Sequence, residues 1–225
     1  ALRSAAEFSA ADHIASELTQ ASWQIASSHP TISRDGDIIA GSGAYYVNVM
    51  SKIRAEGESL EIERRFLVNR SVAEDMACGH NMKLIEQIYL GRTGEWTVRS
   101  RKTGQIAPEF ALTFKKSIAR GTNIEIEQAG DPRTHMHFFL QAGAALTKRR
   151  YKIGLPSGHI LELDIYDNDV LESLAIAEVE LASMSEPVEL PDWLGEEVTG
   201  QAGFSNANLF DRLRMTTSIK IHRAC

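Results

Sequence analysis

The chain has 225 residues, 43% of them hydrophobic and 24% charged, with a formal net charge of -6; this balance excludes a disordered chain and suits one good-sized core plus an appendage. The acidic sum leaves no general basic face for nucleic-acid backbones, and no apolar run reaches the about 18–20 residues that a membrane-crossing helix needs. Its two cysteines, Cys78 and Cys225, have no partners at disulfide-framework or zinc-site spacing, so a reducing, cytoplasmic setting is expected.

In chain order, the first expected element is a helix over residues 9–27, with Ser9 as N-cap and Ile14, Leu18 and Ile25 at helical spacing. Residues 29–57 are rich in Ser, Gly and Asp and read as a linker, so 1–57 is taken as an N-terminal extension and 58–225 as one domain. Beyond Gly57 come short alternating segments punctuated by Gly, Asn, Asp and Pro, the pattern of many antiparallel strands. Two helices are expected to cover the sheet outside. One spans 71–78, and the other spans 132–145, with Pro132 near its start and Phe138, Phe139 and Leu140 available for burial. A short helical turn is expected over 191–195, then a helix over 206–214 capped by Asn206 or Asn208. His135 and His137 diverge on the second helix, which argues against a metal pair, and Trp23 and Trp193 read as buried anchors.

The charges carry the most information, because they recur two residues apart with an apolar or neutral residue between. Seven segments show this: Glu61-Ile62-Glu63-Arg64-Arg65, Arg99-Ser100-Arg101, Thr113-Phe114-Lys115, Glu125-Ile126-Glu127, Lys148-Arg149-Arg150, Glu162-Leu163-Asp164 and Glu178-Val179-Glu180. On a strand, residues i and i+2 share a face; on a helix they diverge. A half-exposed sandwich strand alternates in the same way, but it would mix signs, whereas these segments sort into acidic and basic ones. Closing the sheet into a barrel turns the charged faces inward, which is tolerable where the groups pair or bind ions. Such a lumen suits a polyphosphate, gripped by Arg and Lys, with Mg²⁺ or Mn²⁺ on hard carboxylate oxygens.

The segment Glu61-Ile62-Glu63-Arg64-Arg65 resembles the opening E-x-E-x-K signature of the CYTH superfamily, the triphosphate tunnel metalloenzymes. The resemblance continues in order through Gln87-Ile88-Tyr89-Leu90, Val98-Arg99-Ser100-Arg101, Leu112-Thr113-Phe114-Lys115 and the acidic pair Glu125 and Glu127. It then runs through Lys148-Arg149-Arg150-Tyr151, Leu161-Glu162-Leu163-Asp164 and Ala177-Glu178-Val179-Glu180-Leu181 to Val198-Thr199-Gly200 and Asn206-Ala207-Asn208-Leu209. It implies an α+β fold, an eight-stranded antiparallel tunnel barrel with helices packed outside, and a divalent-metal-dependent triphosphatase. By resemblance, Glu61, Glu63, Glu162, Asp164, Glu178 and Glu180 are the metal acids, and Glu125 and Glu127 are further tunnel acids. Arg65, Arg99, Arg101, Lys115, Lys148 and Arg150 are the phosphate ligands, with Arg65 and Tyr89 as catalytic candidates.

Arg65 departs from the family's Lys, and a guanidinium holds phosphate but does not give up its proton. The expected partner is a small-molecule triphosphate, inorganic tripolyphosphate first, with no nucleic acid and no membrane; a homodimer is compatible with the fold. Thiamine triphosphatase, adenylate cyclase and a non-catalytic polyphosphate- or nucleotide-binding module are the competing readings.

Overall fold

The computed structural model describes residues 59–93 and 95–224; the expected helix over 9–27 and the extension to residue 57 lie outside them. From Ser59 onward the alternating segments form strands β1 (Ser59–Val68), β2 (Met82–Thr93), β3 (Trp96–Thr103), β4 (Glu109–Ala119), β5 (Thr122–Ala129), β6 (Leu146–Gly154), β7 (Ile160–Tyr166) and β8 (Ala175–Glu180). They close into an antiparallel barrel in the order β1-β5-β4-β3-β2-β6-β7-β8. Helix α1 (Arg70–Ala77) follows β1, α2 (Pro132–Ala142) follows β5, and α3 (Asn206–Ala224) ends the described chain. Among the described residues no helix is long and apolar enough to cross a membrane.

Cross-strand partners point to the same side of a sheet, so the register sorts the side chains. Arg65 pairs with Glu178, Arg150 with Asp164, and Lys115 with Glu125; these charged rows face the lumen. The residues between them face out. Phe66, Leu163, Ala177 and Val179 pack with Ala73 and Ala77 of α1, while Ile88, Val98 and Leu112 pack with Phe138 of α2. The charge-free apolar rows thus put the hydrophobic core on the outside of the barrel, beneath the helices, and leave the inside to the ions.

The helices match their sequence signals with instructive exceptions. Asn69 caps α1 through the Ser71 N–H (3.0 Å), and Asp131 caps α2 through the Arg133 and Thr134 N–H groups (2.9 and 3.1 Å). Of the three apolar residues expected to be buried on α2, only Phe138 is (2% exposed); Phe139 and Leu140 are 41% and 73% exposed. The helix ends at Gly143, in the left-handed conformation with φ 68°. Residues 191–195 make a single turn closed by the Leu194 N–H on the Pro191 carbonyl at 3.2 Å. The α3 cap is Ser205, whose Oγ accepts the Asn208 N–H at 3.3 Å, so neither Asn206 nor Asn208 plays that part.

The largest difference lies at one end of the barrel. The inward rows that carry charge become apolar there, at Leu67, Tyr89, Leu146, Tyr166 and Ile176, and Leu209 and Phe210 of α3 join them in one cluster. Tyr166 donates its hydroxyl proton to Asn206 Oδ1 at 2.5 Å, and the Tyr89 and Phe210 rings lie 5.5 Å apart. The first turns of α3 therefore stopper the tunnel instead of packing outside it, and the lumen opens at the other end.

Candidate active site

The charged residues assigned to the tunnel by the resemblance share the lumen, whereas Arg64 and Arg149 between them face out to Glu197 and Glu74. Deepest, just inside the stopper, is a knot of ion pairs on β1, β6, β7 and β8. Asp164 is fully buried and accepts Arg150 on both oxygens, Nε to Oδ1 and Nη2 to Oδ2, each at 2.6 Å, as well as Lys148 Nζ. Arg150 also reaches Glu178 at 2.9 Å and contacts Glu162. Lys148 is fully buried, its Nζ 5.6 Å from the Tyr166 ring centre. Burial, with Arg150 beside it, pushes the Lys148 ammonium down to about 8 against the opposing pull of Asp164.

Arg65 enters from β1. Its Nη2 lies 2.7 Å from Glu178 Oε1, but not at a hydrogen-bonding angle, so Nε and Nη2 are buried with no hydrogen-bond partner. Burial opposes its charge most, yet Glu178 together with Glu63, Asp164 and other neighbours outweighs that and raises its pKa. The same crowd of cations, Arg65, Lys148 and Arg150, overcomes burial and holds Glu178 well below the usual carboxylate range.

The opposite wall belongs to β3, β4 and β5. Arg101 Nη2 binds both oxygens of Glu127 at 2.8 Å, and Thr113 donates to the same carboxylate at 3.0 Å. Arg99 Nη2 reaches Glu125 at 3.4 Å, while its Nε is buried without a partner. Lys115 contacts Glu61 and lies 3.8 Å from Glu63 and 3.7 Å from Glu125. Asn123 donates to Glu61 at 3.2 Å. A cavity of 310 Å³ opens along this wall, lined by Arg101, Thr103, Glu109 and Glu127 among others.

Toward the open end the acids outnumber the bases. Burial and the Glu178 charge push the Glu63 carboxyl up to about 7, against the pull of Lys115 and Arg65. Burial, then Glu162 and Glu61, also raise Glu180. Among the described residues no three acids or histidines converge on one point as a metal cage; Glu61 contacts Lys115 and Glu162 contacts Arg150.

Tyr89 stands apart from the acids, in the stopper and opposite Arg99 on the β2–β3 ladder. Thr113 and Asn123 share the strand parity of the charges and were readable from it. Gln87 and Tyr166 also point inward, but a lone polar or aromatic residue on an apolar strand gives no such signal. His135 bridges Ser100 (2.8 Å) and Glu86 (2.7 Å) on the barrel's outer face, a structural clamp for α2.

No protein-family model matches the chain. Over 152 residues it is 29% identical to a protein of Acetivibrio thermocellus named inorganic triphosphatase, covering 66% of this chain and 92% of that one. It is 28% identical over 151 residues to the inorganic triphosphatase of Nitrosomonas europaea, covering 66% and 95%. Two crystal structures of NE1496, an inorganic triphosphatase, match at 29% and 30% identity. Each covers 66% of this chain, with 93% and 96% of theirs covered, at a TM-score of 0.46. A closed eight-stranded barrel with sign-sorted charges inside defines a triphosphate-tunnel-type protein. These relatives and the ordered motifs agree with the resemblance to the CYTH superfamily.

Proposed function

We propose that this chain hydrolyses triphosphates inside the barrel with a divalent metal ion, and that inorganic tripolyphosphate is its substrate. The observation that carries the reading is the pair of buried guanidinium groups, Arg65 and Arg99, each ion-paired through Nη2 with a carboxylate, yet with Nε of both and Nη2 of Arg65 making no hydrogen bond. A buried donor without a partner costs on the order of 1–3 kcal/mol, and a phosphate oxygen is the acceptor that best removes that cost. The relatives named inorganic triphosphatase support the same substrate class.

The donor chemistry fits Mg²⁺ or Mn²⁺: carboxylates are the hard oxygen ligands these ions take, and Glu63 and Glu180 face each other across β1 and β8, both raised first by burial and then by neighbouring carboxylates. Glu61, Glu63 and Glu180 would hold the ion, with Glu162 and Glu178 next to them. When bound, it would offset phosphate charge and acidify a water molecule.

The chain's own residues do the rest. Arg99, Arg101 and Lys115 on one wall and Arg65, Lys148 and Arg150 on the other would hold the phosphate oxygens and align the terminal phosphorus for in-line attack. A water oxygen then bonds to that phosphorus as the bridging P–O bond breaks, releasing diphosphate and phosphate. Arg65 stays protonated throughout, since Glu178 raises its pKa; it stabilises charge and does not accept the water's proton. That proton goes to a mouth carboxylate.

Phosphate release from tripolyphosphate, ATP and thiamine triphosphate, each with Mg²⁺ or Mn²⁺, tests the proposal beside a Glu61→Gln, Glu63→Gln control. Metal-dependent release from tripolyphosphate that the control lacks supports it. Tight binding with no release from any of them would sink it in favour of a polyphosphate-binding module, the reading that Arg65 in place of the family's Lys otherwise recommends.

A further inference from the structure

Strand β1 changes neighbours part-way along one edge. Ser59–Ile62 pair with β5, which begins at Thr122; beyond that point the edge is completed by the β4–β5 turn and by residues 195–199. The Glu63 N–H donates to the Gly121 carbonyl at 2.8 Å. The Leu67 N–H donates to Glu196 at 2.9 Å, and the Leu67 and Arg65 carbonyls accept Gly195 and Val198 at 2.8 Å each. At Arg65 the donor side is different. Its N–H meets a side chain, the Thr199 hydroxyl, at 3.0 Å.

That hydroxyl is buried, 3% exposed, and its own proton goes to Glu197 Oε1 at 2.7 Å. Glu197 accepts Arg64 Nη2 at 2.6 Å and Arg120 Nη2 at 3.4 Å. Two glycines let the strands close on it. A Cβ at Gly121 would sit 2.5 Å from the Glu63 carbonyl oxygen and 2.7 Å from Thr199 Cγ2, and one at Gly200 would sit 2.9 Å from Arg120 Cγ. The chain around Thr199 is therefore fixed on three sides, and its oxygen stands where a ladder carbonyl would otherwise be.

We propose that Thr199 is a positioning residue for Arg65. By completing β1's edge at that one step, it fixes where along the lumen the Arg65 guanidinium emerges and holds it on Glu178. The role needs one atom that accepts from a backbone N–H and donates to a carboxylate at once, which Thr and Ser supply and the isosteric Val does not. A misplacement of about 1 Å in a reacting constellation costs on the order of 100-fold in rate. Several other bases still bind the substrate, so the effect falls on turnover more than on affinity. This kinetic expectation rests on the triphosphatase reading; the backbone contact does not.

The test uses the full chain with Thr199→Val and Thr199→Ser. Ser100→Ala is the comparator, removing a buried hydrogen bond to His135 on the outer face. Hydrogen exchange of the Arg65 amide is measured alongside tripolyphosphate kinetics and melting. Val should expose the Arg65 amide and lower kcat about 10–100-fold with KM within about threefold, while Ser restores both and Ser100→Ala leaves kcat intact. An Arg65 amide equally protected in the Val variant, or a Ser variant as slow as Val, overturns the proposal. If the wild type releases no phosphate, the triphosphatase reading falls and the exchange measurement alone decides for or against Thr199.

Discussion

Glu63 and Glu180 stand directly opposite each other across the β1–β8 ladder, and both carboxyl groups are harder to ionise than usual because burial and neighbouring carboxylates oppose their charge. One step deeper along the same two strands Arg65 faces Glu178, and there the cations prevail. The lumen is thus graded: an apolar stopper, then a cation-rich knot, then an acidic mouth. A triphosphate, itself strongly anionic, suits the knot, and a divalent cation suits the mouth.

Neutralising Glu63 should therefore separate stability from activity. Glu63→Gln keeps the shape and removes a charge that burial disfavours, so the metal-free protein should melt higher, by about 2–4 °C for each kcal/mol gained. Phosphate release should fall to the assay background. A lower melting temperature in metal-free buffer would show that the mouth is not strained by its acids.

Arg65 supplies two buried nitrogens that make no hydrogen bond, and a lysine cannot reproduce a planar fork. Arg65→Lys should raise KM for tripolyphosphate about tenfold, equivalent to about 1.4 kcal/mol, and Arg65→Gln should abolish release, since it leaves Glu178 short of a cation. Steady-state kinetics of the two variants check this. A faster enzyme with Lys at this position would mean that the guanidinium impairs turnover.

Much of this lumen was legible because strand periodicity is local: two residues decide which face a charge takes. The acid and base rows on β1, β3, β4, β5, β6, β7 and β8 all follow it. The strand β2 contributes Gln87 and Tyr89 to the inside, and its sequence shows no charge row to announce that. The stopper was missed for a different reason. Leu209 and Phe210 have an ordinary helical pattern, and whether such a face covers a barrel wall or closes its end depends on tertiary placement. Thr199 lies in irregular chain and meets Arg65 across 134 residues, a contact no local pattern encodes.

Asp164 ties the knot, because both Arg150 and Lys148 bind it. Asp164→Asn leaves two buried cations side by side and should cost about 3–5 kcal/mol, the range for breaking a buried pair from one side. Lys148→Met leaves Asp164 gripped on both oxygens by Arg150, so its cost should be well under half of that. Urea unfolding of the two variants gives the comparison. Equal losses would mean that Lys148, not Arg150, neutralises Asp164.

Acid stability should depend on the latch beside β1. Glu197 accepts Arg64 at 2.6 Å and Thr199 at 2.7 Å, and those bonds, Arg64 first, hold its carboxyl below the usual range despite some burial. A carboxyl whose folded pKa is lowered contributes stability that is complete above its unfolded value, about 4.3, and that is lost as pH falls through the folded value. Glu197→Gln should therefore lower stability near neutrality by about 1 kcal/mol and flatten the fall below pH about 4. Glu74 is likewise lowered, by Arg149, but its side chain is 40% exposed, so solvent screening leaves it a smaller share. Melting temperatures of wild type and variant from pH about 3 to 7 should converge at the acid end. Curves that stay parallel down to the lowest pH would assign the acid limb to other carboxylates and remove Glu197 from it.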